Sequence, residues 1–169
     1  MYTPHTVTLI SAEETDNGTV YYPVILSGVF LDLAKRSNIN KSGLSDADAA
    51  TLFIPFGVNA WYPAEAEDGL AIAGEAVAGI AIAGKTKHFK SYLTPKAFDA
   101  DADKRDHWTI FDDGSESGAG CYFIKGEITE DYYPYSRARE KHDYVYQVSS
   151  VDLRDFGSQR MQHWMVGGK

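Results

Sequence analysis

The stretch HTVTLI at residues 5–10 alternates, with Val7 and Leu9 on one parity and Thr6 and Thr8 on the other. A period of two belongs to a strand with one apolar face, and a helix of period 3.6 cannot satisfy it. Asp16-Asn17-Gly18 then offers residues that tolerate positive φ, and residues 19–33 are rich in β-branched and aromatic side chains. Together these predict a β-hairpin. Gly28, inside the second run, predicts a bulge or sharp bend of the kind small barrels use at corners.

Further runs of strand composition follow at residues 51–58, 107–111, 121–128, 144–151 and 163–166. Pro55 cannot donate to a ladder, which argues for an edge position or a bulge there. Residues 35–48 are polar and loop-like, with Ser45 and Asp48 spaced to cap at most a turn or two of helix. Thr94-Pro95 reads as an N-cap with proline at the first helical position, starting a short helix to about Ala100. DDGSESGAG at 112–120 has loop composition. This pattern predicts a mainly β chain, a small antiparallel β-barrel or sandwich with long loops and one or two short helices. The 169 residues suit a single domain over 1–169.

One tract interrupts that pattern. Between residues 64 and 90 glycines fall at 69, 74, 79 and 84, and AIAGE, AVAGI and AIAGK are three imperfect copies of one unit. A spacing of five matches neither helix nor strand, so the tract reads as a flexible insertion. Its segment GIAIAGKT, residues 79–86, also satisfies the phosphate-loop pattern G-x-x-x-x-G-K-[ST]. Such a loop needs a buried strand before it and a helix starting at its lysine. The Ala-Gly repeat lies before it and KTKHFKSYLTP after it, so the repeat accounts for the match.

Charge narrows the function classes. Lys and Arg number 16 against 24 Asp and Glu, a net charge of -8, and no basic, aromatic-interleaved stretch forms a nucleic-acid footprint. Sequence-specific nucleic-acid binding is not expected. Cys121 is the only cysteine, which fits a reducing cytoplasm and excludes an intrachain disulfide. MYTPHTVTLI lacks the character of a signal peptide, and the longest apolar tract, residues 70–84, carries Glu75 and is too short for a membrane span.

The remaining chemistry-bearing residues read as structural. Asp99, Asp101 and Asp103 imitate the start of a calcium loop, but Lys104 stands where that loop needs glycine and Ile110 where it needs glutamate. His5, His88, His107, His142 and His163 show no metal-ligand spacing, so no metal and no cofactor is expected. Cys121 reads as a small strand residue, Asp112-Asp113 and Glu130-Asp131 as turn residues, and Asp152, Arg154 and Asp155 as an ion-pair cluster. The tyrosines of DYYPYSRAREKHDYVY suit a barrel face or an interface.

The order of segments adds a resemblance. HTVTLI, SGVFLDLAKRSNINKSG, TLFIPF, YFIKGEI and the closing YQVSSVDLRDFGSQRMQHWMVGGK together resemble small structural proteins of Firmicute phages and prophages, of the head-to-tail joining or head-closure type. The resemblance implies a β-barrel that assembles as a homo-oligomeric ring between portal and tail, without catalysis. Its partners would be portal, connector or tail subunits, and its place the bacterial cytoplasm and then the virion. In such an assembly the Ala/Gly tract, with Ala71, Gly74, Gly79, Gly84 and Lys85, is a candidate arm ordering on a neighbour. Two other readings stand beside it: a β-rich module binding an unknown ligand, and a nucleotide-binding protein using residues 79–86.

Overall fold

The computed structural model describes residues 3–16, 18–33, 50–63, 87–101, 104–112, 120–129 and 134–169. The opening hairpin is β1 (His5–Thr15) and β2 (Gly18–Asp32), paired antiparallel from Thr15 opposite Gly18, whose φ is 120°. The predicted run 51–58 divides into β3 (Ala50–Pro55) and β4 (Asn59–Pro63). Pro55 ends the first, and its carbonyl accepts from Val58 N–H at 3.0 Å in the turn between them. Next come β5 (Lys87–Phe89), β6 (Ser91–Tyr92), the helix α1 (Pro95–Asp99), a 3-10 turn (Lys104–Asp106) and β7 (His107–Trp108). The chain closes with β8 (Cys121–Lys125), α2 (Tyr135–Lys141), β9 (Val145–Arg154) and β10 (His163–Gly168).

The fold is mainly β and antiparallel. Strands pair in the order β1-β8-β9-β10-β3-β2, and the β1–β2 pairing closes these six into a ring, with β4 and β5 added beside β2. The ring has the character of a sandwich of two sheets. One runs β9-β8-β1-β2-β4-β5, the other β2-β3-β10-β9, and β2 and β9 take part in both.

Strands that change sheets must bend, and both do so at a bulge. In β2 the register jumps from Ser27 opposite Thr6 to Val29 opposite His5, leaving Gly28 as the extra residue at φ 82°. The bulge explains why the core positions change parity, from Val24 and Leu26 to Val29 and Leu31. In β9 Ser149 is passed over between Val148 opposite Gly168 and Ser150 opposite Gly167. Inward residues change from Tyr146 and Val148 to Val151 by the same arithmetic.

Between the sheets lies the main core of Val7, Leu9, Leu26, Leu52, Phe123 and Val166 with their neighbours. The buried Thr8 hydroxyl is satisfied by a segment far along the chain: it donates to the Gly126 carbonyl at 2.8 Å and accepts from Ile128 N–H at 2.8 Å. The parallel β6–β7 pair brings Tyr92 against Trp108, and both rings contact Trp164, at 4.6 and 5.6 Å between centroids. On the other side Ala138 of α2 packs with Ile10, Tyr122 and Val145.

Several sequence expectations shift. Thr94 does cap α1, its hydroxyl accepting from Ala97 N–H at 3.4 Å. The run 107–111 is a strand only at His107–Trp108, and 121–128 ends at Lys125 because Gly126 turns the chain at φ 100°. Among the described residues the strands number ten, more than the runs of strand composition, several of only two or three residues. The tyrosine-rich segment before β9 holds a helix, α2, whose single fully buried side chain, Ala138, leaves little apolar periodicity to read. Of the insertion expected at about 64–90, residues 87–89 form β5. Residues 35–48 lie outside the described residues, as do residues 64–86 of that insertion with Ala71, Gly74, Gly79, Gly84, Lys85 and the 79–86 motif.

Candidate interaction surface

Each sheet ends in an apolar row that runs out of cover. In the first sheet Ile25 stands opposite Trp61 across β2 and β4, and Trp61 opposite Phe89 across β4 and β5. Directly opposed residues share a face, so the three side chains form one row. Their exposures are 0%, 6% and 63%. In the second sheet Ile54 stands opposite Trp164, and Trp164 opposite Leu153, with exposures of 0%, 6% and 57%. Two rows of the same make, Ile-Trp-Phe and Ile-Trp-Leu, thus end on side chains open to solvent.

Beyond both rows no further described strand pairs, although the His88 ring and Lys90 Nζ beside β5 reach Asp106 and the Arg105 carbonyl. Among the described residues β5 pairs only with β4, and β9 pairs with β8 only through residues 145–147, leaving 150–154 with β10 alone. An exposed strand edge presents unpaired N–H and C=O groups and is a template for another strand. Natural proteins blunt such edges with charge, and both carry some: Lys87 in β5, Asp152 and Arg154 in β9.

The turn beyond β9 is held firmly while its apolar side chains face out. Gln162 Nε2 donates to the Asp155 carbonyl at 2.9 Å, Met161 N–H to Ser158 at 2.8 Å, and the His163 ring to the Met161 carbonyl at 2.7 Å. Phe56 N–H reaches the Gln162 carbonyl at 3.2 Å, tying the turn to the end of β3. Phe156 and Met161 nonetheless remain among the exposed large apolar residues. The expected ion-pair cluster is loose: Arg154 lies 4.0 Å from Asp152, both largely exposed.

Polar contacts elsewhere join segments distant in sequence. Lys104 Nζ bonds Glu13 Oε1 at 2.7 Å, and Tyr22 donates to the other oxygen of Glu13 at 2.9 Å. Burial, the largest single influence, would raise the Glu13 pKa; the bonds from Lys104 and Tyr22 and the Lys104 charge outweigh it and hold the carboxyl below its usual value. Tyr22 moves upward, through burial first and then its bond to Glu13 and the charge there. His88 pairs with Asp106 at 2.6 Å and His107 with Asp101 at 2.5 Å. Asp101 is thus engaged by a histidine, Asp99 is exposed on α1, and Asp103 lies outside the described residues. Among the described residues no group of three His, Cys, Asp or Glu is placed to hold a metal ion. Cys121 is buried, 3.5 Å from the Ser11 hydroxyl, as a strand residue should be.

An open cleft of about 410 Å³ lies between α2 and β9, lined among others by Tyr135, Arg139, His142, Asp143 and Tyr146. No described helix is long and apolar enough to cross a membrane. Glu130 and Asp131 lie outside the described residues, as does Asp113. The sequence reading missed Phe89 and Leu153, because strand composition tells that a residue pairs but not on which edge pairing stops. The readable signal is an apolar residue between charges near a strand end, as in VDLRD.

No curated protein and no solved structure matches the chain. A family of unknown function, DUF6751, matches over residues 64–169, from directly after β4 through Lys169 and so including β5 and β9. The chain belongs to that family.

Proposed function

We propose that the protein is a structural component of a phage or prophage particle, a head-to-tail connector, head-closure or tail-completion protein that acts by oligomeric assembly and not by catalysis. The observation that carries this reading is the pair of apolar rows ending on the exposed Phe89 and Leu153, beside which no further described strand pairs. A rigid small ring of strands with uncovered apolar ends is suited to being one piece of a larger body. The segment order described above supports the virion setting, and the net charge of -8 suits a channel wall past which DNA slides without sticking.

In this account the chain is made in the host cytoplasm, meets portal, connector or tail subunits there, and leaves in the particle. The Ala/Gly tract, with Ala71, Gly74, Gly79, Gly84 and Lys85, serves as an arm that a neighbouring subunit orders. Deleting the gene from an inducible lysogen and imaging the lysate tests the role. Separate heads and tails are expected; joined, infectious particles would refute it. Deleting residues 66–86 and measuring assembly size tests the arm, and unchanged assembly would sink it.

A further inference from the structure

We propose that the two open edges are complementary to each other across subunits: the outer edge of β9 in one copy pairs antiparallel with β5 of the next. The proposal rests on the assembly reading above and names its interface. Because the two edges differ, the contact is heterologous, and repetition around an axis closes a ring where a self-complementary contact would stop at a dimer.

Sequence fixes both direction and register. With Phe89 opposite Leu153 in antiparallel order, Lys87 falls opposite Asp155, while Lys90 stays with the Arg105 carbonyl of its own chain. The Lys87–Asp155 pair is then cross-strand, and the exposed ends of the two apolar rows meet. Parallel order about the same centre leaves Lys87 facing Val151, so the opposite-charge pair is lost. Antiparallel pairing also makes one continuous row, Ile25-Trp61-Phe89 in one subunit and Leu153-Trp164-Ile54 in its neighbour. Main-chain bonds would supply the adhesion, and the charges the register.

A disulfide across opposed strand positions reads this contact directly. Full-length Phe89→Cys and Leu153→Cys are mixed under mild oxidant. The native thiol of Cys121 is buried and stays out of the reaction. Expected are a mixed dimer containing one chain of each variant, and a ladder of covalent multimers from the Phe89→Cys/Leu153→Cys double variant, both collapsed by reductant. Lys87→Asp in the double-cysteine background should abolish the ladder, and adding Asp155→Lys should restore it.

Two results overturn the proposal: Leu153→Cys alone forming disulfide dimers, which means β9 pairs with itself, or no mixed dimer when both variants keep the wild-type circular dichroism. Failure of the virion reading looks different. The mixed dimer forms, but the protein is missing from particles.

Discussion

Trp61 and Phe89 stand directly opposite each other in the β4–β5 ladder, and the first is 6% exposed while the second is 63% exposed. Lys87 Nζ lies 4.4 Å from the centre of the Trp61 ring, covering one side of the indole. Phe89 has no such cover among the described residues. A side chain that shares a face with a buried tryptophan yet contributes little burial should matter for association and hardly at all for folding.

Phe89→Ser and Leu153→Ser are therefore expected to change the unfolding free energy by no more than about 0.5 kcal/mol each, as surface substitutions do. Urea denaturation checks this. A loss of about 2 kcal/mol or more would assign these side chains to the core.

Gly168 behaves in the opposite way. A Cβ there would stand 2.8 Å from Phe123 Cζ and 2.9 Å from Tyr146 Cβ, inside the main core where β10 meets β9. Gly168→Ala is expected to cost about 1–3 kcal/mol through overpacking, measured by the same denaturation.

The Glu13 carboxyl gives a pH dependence with a definite sign. Its folded pKa lies below the ordinary 4.5, so its contribution is present above that value and lost as pH falls through the folded one. In Lys104→Met the lysine bond and charge are gone and burial, which raises the pKa, gains weight. The wild type should lose stability more steeply than Lys104→Met between neutral and strongly acidic pH. Equal slopes would show that the Lys104–Glu13 contact is unimportant in solution. Tyr22 has the reverse sense: its raised pKa makes a contribution that is full below the ordinary 10.0 and lost as pH rises above it.

The opening hairpin, the Gly28 bulge and the Thr94 cap were all legible, because each rests on chemistry within a few residues; Pro55, expected at an edge or a bulge, instead ends β3, which lies between β2 and β10. What lay beyond reach depended on partners far along the chain. The run 51–58 splits because Phe56 is drawn to Gln162, a contact that no local pattern announces. Helix α2 hides because one buried alanine and the half-buried Tyr135, not an apolar stripe, fix it to the sheet. The candidate surface was the least legible: Leu153 continues the inward series Val148, Val151, and only the ladder reveals that no described strand follows beside it.

The motif GIAIAGKT carries its own test. The context at 79–86 lacks the strand and helix a phosphate loop requires in sequence, so ATP and GTP are expected not to bind, and Lys85→Ala to behave like the wild type in calorimetry. Binding lost in Lys85→Ala would revive the nucleotide reading.

The central claim is that this chain works as a part of a particle. Quantitative mass spectrometry of purified particles induced from a lysogen carrying the gene tests it most directly. The account predicts the chain in the particles at several copies each, in fixed ratio to the portal subunit; particles that are complete and infectious without it would contradict the account.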